Sequence, residues 1–319
     1  MEIPEDNPMT VEGVQLGRKL FYEKRLSRDN SISCASCHRQ EYGFSDPNQF
    51  SIGVDEQLGK RQSMALVNMG WQKSFFWDGR LKTLEEQILH PVRDPLEMDL
   101  DWVEAVKRLK SDVDYRNDFY RAFNVEDFDS IHVSKAIAQF LRTLISGKSK
   151  YDVMYKILNE IPLTAYDKQL EAQITFEEDA GYEIFRLSTG DCFHCHDGPL
   201  AQVHAFSNNG MDLEFEDLGH YLVTGNPNDM GKFKIPTLRN IELTGPYMHD
   251  GRFQTLDEVI MHYSFGVLSE SPNLDPNMVN ADQAGVGLDE DQRELLKTFL
   301  KTFTDWEFIN NPDFSDPFE

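Results

Sequence analysis

The chain has 319 residues, of which 40% are hydrophobic and 12% aromatic, and this is enough to build two globular domains. Its 55 acidic residues outnumber its 31 basic residues, and the formal net charge of −24 argues against nucleic acid or an anionic membrane as a partner. No apolar run approaches the ~20 residues of a membrane span, so we expect a soluble protein whose acidity suits a basic partner or serves solubility alone.

The first predicted element is a helix in "GVQLGRKLFYEKRLS" (13–27), where a glycine is followed by aromatic residues at helical spacing. It leads into "CASCH" at 34–38. A similar segment, "AGYEIFRLSTG" (180–190), leads into "CFHCH" at 192–196. These two parts of the chain look like weak copies of each other, which predicts two related domains.

All four cysteines lie in these two C-x-x-C pairs, and a histidine follows each pair at once. A zinc site gives no reason for a histidine in both places, and a thioredoxin-like redox pair needs none. C-x-x-C-H is the attachment signal for c-type haem, in which two thiols form thioethers and the histidine binds the iron. The motifs predict two covalent haems, held by Cys34, Cys37 and His38 and by Cys192, Cys195 and His196.

The stretch "SIHVSKAIAQFLRTLISG" (130–147) predicts a helix that closes the first domain, with Ser130 as its N-cap and Gly147 as its stop. The predicted apolar face consists of Ile131, Ile137, Phe140, Leu141, Leu144 and Ile145. A proline and a change of composition follow in "NEIPLTAYDKQLEAQ". They place the boundary near residue 165, so the predicted domains are 1–165 and 166–319.

A final core helix is predicted in "LDEDQRELLKTFLKTF" (288–303), beginning near Asp289. Its apolar stripe is Leu295, Leu296, Phe299, Leu300 and Phe303. Strand-like alternation is scarce. We therefore predict a mainly α fold with two cytochrome c-like domains, each with one covalently bound c-type haem.

Further segments carry a family resemblance, namely "FFWDGRLKTLEEQILHPVRDPLEM" (75–98), "GNPNDMGKF" (225–233) and "KFKIPTLRNIELTGPYMHDGRFQTLDEVIMHY" (232–263). Together with the haem motifs, they resemble the bacterial di-haem cytochrome c peroxidase family, which includes the MauG-type protein-oxidising enzymes, over nearly the whole chain. The resemblance implies that Trp77 carries electrons between the haems and that Gln87 and Glu97 line the peroxide pocket.

Glu97 is also a candidate on chemical grounds. A peroxide site needs a base that moves a proton from one oxygen to the other, and a carboxylate in a largely apolar pocket can do this. Without the family spacing, a lone glutamate beside a proline turn is more often a solvated loop residue.

The resemblance places the distal ligand of the second haem at Tyr263, where typical peroxidases have methionine and the MauG type has tyrosine. A phenolate is a hard anionic donor that stabilises oxidised iron, so we expect a low potential. The alternative is that Tyr263 packs in the core and that Met261 or His262 is the ligand. Helical geometry points these neighbours away from the direction of Tyr263.

Typical members close the peroxide haem with a histidine on a mobile loop. This sequence has no histidine between His38 and His90, and "SIGVDEQLGK" (51–60) occupies that loop. We therefore expect a peroxide site that is open without prior reduction. His90 lies one helical turn after Gln87, but its place before Pro91 makes a supporting role more natural than iron ligation.

The family also binds calcium between its domains. Thr244 and Pro246 match that site, whereas Gln62 stands where the family has an asparagine.

MauG places a tryptophan two residues before its second haem motif, where this chain has Gly190. We interpret four histidines as surface or loop residues and one, His249, as a residue beside the haems; the four are His132, His194, His204 and His220.

The expected function is a di-haem c-type peroxidase that reduces hydrogen peroxide with electrons from a small cytochrome c or cupredoxin. The alternatives are MauG-like oxidation of a protein partner and a non-catalytic di-haem electron-transfer cytochrome. Because haem is attached covalently outside the cytoplasm, we expect a periplasmic or lipid-anchored protein, exported by a signal that "MEIPEDNPMT" does not contain. A homodimer is compatible with this interpretation.

Overall fold

The computed structural model describes residues 1–278 and 284–318. It is mainly helical, as predicted, and its chain divides into two compact units. The first unit comprises 1–75, 81–145 and the chain from Ile309 onward, and the second comprises 76–80 and 146–308. The sequence places the boundary near residue 165, whereas packing divides the chain after Ile145, because Tyr151 and Met154 join the core of the second unit.

The helices that begin in the first unit are α1 (Val11–Phe21), α2 (Cys34–Cys37), α3 (Leu84–Arg93), α4 (Trp102–Lys110), α5 (Val113–Phe123) and α6 (Ser130–Thr143). Those that begin in the second unit are α7 (Lys150–Leu158), α8 (Ala165–Glu171), α9 (Phe176–Arg186), α10 (Tyr221–Thr224), α11 (Leu256–Met261), α12 (Glu290–Leu300) and α13 (Trp306–Ile309). A π-helical turn, His262–Gly266, continues α11. Strands β1 (Phe206–Ser207) and β2 (Phe233–Lys234) pair antiparallel. No helix among the described residues is long and apolar enough to cross a membrane.

Glycines allow the main helix pair of each unit to pack closely. In the first unit, a Cβ on Gly17 of α1 would lie 1.9 Å from the carbonyl oxygen of Ala136 in α6. In the second unit, a Cβ on Gly181 of α9 would lie 2.1 Å from the carbonyl oxygen of Leu295 in α12. The glycine pattern that precedes each C-x-x-C-H motif therefore marks a helix crossing in both units.

The start of α6 differs from the prediction. The N-cap is Asp129 and not Ser130, because the Asp129 carboxylate accepts from the backbone N–H groups of Ile131 and His132. Ile131 is 46% exposed, so its assignment to the buried face was wrong.

The end of α6 also differs, because the helix stops at Thr143 and not at Gly147. Ile145 lies beyond the helix and is exposed, so it too was wrongly assigned. The rest of the predicted face is buried and confirmed, namely Ile137, Phe140, Leu141 and Leu144.

The last predicted helix is confirmed as α12, whose N-cap is Asp289 in a reciprocal capping box with Gln292. Most of its predicted stripe is buried, and Leu295 is partly buried against the same core. The last member, Phe303, lies in the 3-10 turn that follows the helix.

Candidate haem centres and peroxide site

The first C-x-x-C-H motif forms a single helical turn. Ser33 caps α2 in a reciprocal capping box with Ser36, which places Cys34 and Cys37 at the two ends of the turn. His38 follows directly, and its Nδ1 lies 3.0 Å from the carbonyl oxygen of Phe44. Because a carbonyl only accepts, Nδ1 carries the proton and Nε2, which lies 3.5 Å from the Ser63 hydroxyl, keeps the lone pair that binds a metal.

The second motif repeats this arrangement. Cys192 begins a 3-10 turn, and Nδ1 of His196 lies 3.4 Å from the carbonyl oxygen of Ala201. Burial lowers the pKa of His196 to about 4 and also lowers the pKa of His38. Both imidazoles are therefore neutral at neutral pH, which is the form that binds iron.

A buried ion pair fixes the loop that orients His196. Arg239 donates to both carboxylate oxygens of Asp152 at 2.7 Å, and its Nε donates to the carbonyl oxygen of Pro199 at 3.0 Å. Thr237 donates to the carbonyl oxygen of Leu200 at 2.5 Å. The residues between the second motif and Ala201 are thus held from the core of the second unit.

The thiols differ in pKa from those of a redox-active disulfide pair. Burial raises the pKa of Cys34, Cys37 and Cys192 to about 12 and that of Cys195 to about 11. A catalytic C-x-x-C pair needs the opposite shift, because the thiolate is the nucleophile.

Glu97 lies beside the first motif. Its negative charge adds to the rise in the pKa of both Cys34 and Cys37, so the carboxylate is within electrostatic reach of the two thiols. The backbone around it folds back onto α3, since the Met98 N–H donates to the carbonyl oxygen of Pro91 at 3.2 Å. The Arg28 N–H donates to the carbonyl oxygen of Met98 at 2.9 Å and ties this segment to the chain that leads into the motif.

The loop at 51–60 is fastened to the backbone of Glu97. The Val54 N–H donates to the Glu97 carbonyl oxygen at 2.8 Å, and Ile52 and Leu58 form an antiparallel bridge that closes the loop. Gly53 is in van der Waals contact with this backbone, because a Cβ there would lie 2.1 Å from the Leu96 carbonyl oxygen. The loop thus holds the position of Glu97 from one side.

Gln87 and His90 both lie on α3. Gln87 is half-buried in the middle of the helix, whereas His90 is exposed in its last turn. Pro91 lies inside the helix and lacks an N–H, so it cannot donate to the carbonyl oxygen of Gln87 four residues earlier. The supporting role of His90 stays a prediction.

Trp77 lies in the segment 76–80, which packs with the second unit although it interrupts the sequence of the first. Its side chain is 8% exposed, and its carbonyl oxygen accepts from the Lys234 N–H at 2.8 Å. The predicted electron carrier is therefore anchored to strand β2.

Tyr263 lies in the π-helical turn after α11 and faces the second motif. Burial raises its pKa to about 12, and the thiolate forms of Cys195 and Cys192 would add to the rise, so the phenol is within electrostatic reach of both side chains. Asn209 donates to the Tyr263 hydroxyl oxygen at 3.0 Å. π-Helical turns are frequent at functional sites because they redirect a side chain out of the α-helical register.

The two rival ligands are placed differently. Met261 is 46% exposed. His262 is buried, and its Nε2 lies 3.1 Å from the Asn209 carbonyl oxygen, which accepts its proton. Ligation of the second haem by Tyr263 stays a prediction.

Sequence reasoning missed Asn209 and the contacts of His220. Asn209 sits in the turn before Gly210, whose φ of +73° suits glycine, and nothing in this local pattern points to Tyr263. His220 lies in the turn before α10, as expected of a loop residue, and its ring stacks on Phe206 with a centroid distance of 3.7 Å. His249 stacks on Phe233 at 3.6 Å and is buried.

The predicted calcium ligands lie in different units, with Gln62 in the first and Thr244 and Pro246 in the second. Gln62 is buried, and its amide nitrogen donates to the Ser45 hydroxyl at 3.0 Å, so its carbonyl oxygen is the atom that would serve a cation. Calcium binding stays a prediction.

Comparison with known proteins identifies the relatives of this chain. A sequence profile described as di-haem cytochrome c peroxidase matches residues 11–159. The cytochrome c551 peroxidase of Nitrosomonas europaea is 32% identical, and the match covers 97% of this chain and 84% of that protein. The methylamine utilization protein MauG of Methylorubrum extorquens is 33% identical, with 94% and 80% covered.

Two solved structures share the fold of this chain. A MauG-like protein associated with microbial copper homeostasis has a TM-score of 0.86 and 36% identity to this chain, and the match covers 100% of this chain and 96% of that one. The diheme peroxidase BthA from Burkholderia thailandensis has a TM-score of 0.79 at 18% identity, with 99% and 93% covered. At that identity the second match shows the fold alone.

Proposed function

Because this chain belongs to the di-haem cytochrome c peroxidase family, we propose that it reduces hydrogen peroxide to water with two electrons from a small redox protein. The family is one of oxidoreductases and implies two c-type haems. One observation carries the proposal: a thiol pair and a neutral histidine lie together with the Glu97 carboxylate at the first motif.

The side chains at both motifs fit c-type haem. Each motif offers two thiols for thioethers and one imidazole whose protonated nitrogen is bonded to a backbone carbonyl, which leaves the other nitrogen for iron. When bound, the haems supply the redox chemistry that breaks the O–O bond and stores oxidising equivalents. The residues described below supply binding, proton transfer and electron passage.

We assign proton transfer to Glu97. Reduction of one peroxide to two water molecules consumes two electrons and two protons, and one oxygen must gain a proton as the O–O bond breaks. The Glu97 carboxylate takes a proton from one peroxide oxygen and returns it to the other oxygen, which leaves as water when the O–O bond breaks. Gln87 orients the peroxide by hydrogen bonding, and the loop at 51–60 holds Glu97 in place.

We assign electron passage between the centres to Trp77 and ligation of the second iron to Tyr263. Asn209 donates to the Tyr263 oxygen, and a hydrogen bond of this kind favours the phenolate over the phenol. An anionic hard donor stabilises oxidised iron, so the second haem has a low potential.

The electron donor we propose is a small basic cytochrome c or cupredoxin, because a net charge of −24 attracts a cationic partner. We also propose a periplasmic location, free or lipid-anchored, because c-type haem is attached covalently outside the cytoplasm.

The test is steady-state peroxide reduction by the Glu97→Gln variant. The amide keeps the size and hydrogen bonding of the carboxylate but is not a base, so turnover should fall by about 10²–10⁴-fold with both haems in place. Gln87→Ala should be milder. Trp77→Phe should still consume peroxide while the second haem no longer responds. If Glu97→Gln turns over at the wild-type rate, the proton shuttle lies elsewhere and His90 is the next candidate.

A second candidate function is MauG-like oxidation of a tryptophan or tyrosine on a protein partner. Tyr263 favours it, since this residue type at that position resembles MauG, whereas Gly190 removes the tryptophan that MauG has before its second motif. A mass increase on a co-expressed partner after peroxide would distinguish it from simple peroxide reduction. A pure electron-transfer cytochrome would instead have two haems that are both six-coordinate with protein ligands.

A further inference from the structure

The segment that carries Trp77 is a tight turn. The Phe75 N–H donates to the Leu81 carbonyl oxygen at 3.0 Å, and this pair closes the loop formed by 76–80. Inside the loop, the Gly79 N–H donates to the Phe76 carbonyl oxygen at 3.2 Å. Backbone hydrogen bonds of the turn itself therefore close it and fix its shape.

Three contacts from the second unit converge on successive residues of this turn. The Lys234 N–H donates to the carbonyl oxygen of Trp77 at 2.8 Å. Nδ1 of His220 lies 2.7 Å from the carbonyl oxygen of Asp78, so the imidazole N–H donates there. The ring of Phe206 covers Gly79 so closely that a Cβ would lie 2.1 Å from its Cζ.

The residues that make these contacts, Lys234, His220 and Phe206, form one group, which we call the support of the turn. The rings of Phe206 and His220 are parallel within 3°, with centroids 3.7 Å apart. Phe206 is also the antiparallel partner of Lys234 in the β1–β2 pair. Strand pairing, ring stacking and two hydrogen bonds to adjacent carbonyls thus hold the turn at a fixed place on the second unit.

We propose that His220 and Phe206 are positioning residues that set the place of Trp77, a proposal that rests on the role of Trp77 as electron carrier in the proposed function. Their rings do not need to touch the haems. Passage of an electron depends on the distances between the carrier and its donor and acceptor, so the place of the carrier has to be fixed.

Gly79 supports this interpretation. Its φ of +70° lies in the left-handed region, and the Phe206 ring occupies the space that a side chain would need. Both features require glycine at position 79, directly after Asp78, whose carbonyl oxygen accepts from His220. The turn and its support are therefore matched in shape as well as in hydrogen bonding.

Two His220 variants separate the hydrogen bond from the stack. His220→Phe keeps a flat ring against Phe206 but has no N–H donor for Asp78. His220→Gln keeps an N–H donor but has no ring. His132→Gln is the matched control, because His132 occupies a capping-box position at the start of α6, where glutamine is equally suitable.

The first readout is hydrogen–deuterium exchange in the peptide covering 74–81, measured on the holoprotein. We expect exchange at Gly79 to be about tenfold faster or more in His220→Phe and unchanged in the control. The second readout is stopped-flow absorbance after peroxide is added. The second haem should respond about tenfold more slowly in His220→Phe while the first haem reacts at the wild-type rate, and His220→Gln should recover part of the loss.

Phe206→Leu provides an independent test, since it keeps apolar bulk but removes the flat face, and it should also quicken exchange at Gly79. Wild-type exchange and a wild-type second-haem response in both His220→Phe and Phe206→Leu would overturn the proposal. Failure of the proposed function is a distinct result: the second haem of the wild-type protein would then never respond to peroxide, and the exchange data would still decide whether the support exists.

Discussion

Asn209 donates a hydrogen bond of 3.0 Å to the hydroxyl oxygen of Tyr263. The donor comes from the turn after β1 and the acceptor from the π-helical turn after α11. The bond therefore joins two loops of the second unit at the predicted ligand of the second haem. A donor at this oxygen favours the charged form of the phenol, which is the form that binds iron.

Asn209→Leu should therefore weaken ligation by Tyr263. A hydrogen bond to a charged group contributes about 1.5–3 kcal/mol, which corresponds to about 1–2 pH units in the midpoint for binding of the phenolate. Electronic and EPR spectra recorded against pH should show the low-spin signal of the second haem appearing at higher pH than in the wild type. Tyr263→Phe is the control and should abolish that signal. An unchanged midpoint in Asn209→Leu would mean that the hydrogen bond does not support ligation.

Gly53→Ala should slow the reaction with peroxide by about tenfold or more. The φ of Gly53 is −87°, which any residue adopts, so the effect is steric: the new Cβ would lie 2.1 Å from the Leu96 carbonyl oxygen and 2.7 Å from that of Glu97. Haem content should not change. Gly59→Ala in the same loop is the matched control, because its Cβ would be in ordinary contact at 3.7 Å. Equal rates for the two variants would show that the loop does not position Glu97.

Asp152→Ala should destabilise the second unit by about 3–5 kcal/mol at neutral pH, since it leaves the buried Arg239 guanidinium without its partner. The Arg239 contact lowers the pKa of Asp152 below its ordinary value of 3.8. The pair therefore contributes its stability above that pH and loses it as the pH falls through the lowered pKa.

Chemical denaturation at pH 7 and at pH 3 would measure this effect. The difference between Asp152→Ala and wild type should shrink at the lower pH. Glu104→Ala is the control, because the Glu104 side chain is 43% exposed and pairs with the exposed Lys107 on α4, and it should cause a much smaller loss. A pH-independent difference would show that the loss comes from packing and not from charge.

Replacing Cys192 and Cys195 together by alanine should remove one of two covalent haems. Mass spectrometry of denatured protein, produced with haem maturation machinery, should show two haem additions in the wild type and one in this variant. Bound zinc or four free thiols in the wild-type protein would contradict both haem assignments.

Local sequence patterns predicted the elements that depend on near neighbours. The glycine and aromatic spacing located α1 and α9, and Asp289 marked the start of α12 because its capping partner is only three residues away. At α6, Asp129 and Ser130 are both good N-caps, and only the folded chain shows which side chain accepts the N–H groups.

The parts that sequence reasoning missed depend on residues far apart in the chain. His220 and its partner Asp78 are separated by 142 residues, and Asn209 and Tyr263 by 54. No local periodicity or motif predicts a contact between residues so far apart in the chain. The domain boundary differs for the same reason, since Tyr151 packs against Phe303 and this contact assigns α7 to the second unit.

The most direct measurement is to mix the fully oxidised, as-isolated protein with hydrogen peroxide and to follow both haems by stopped-flow absorbance and EPR. The account predicts one high-spin and one low-spin haem at the start and an immediate response of both to peroxide, because no histidine lies between His38 and His90 to close the first site. A protein that responds only after one-electron reduction, or that begins with two six-coordinate low-spin haems, would contradict it.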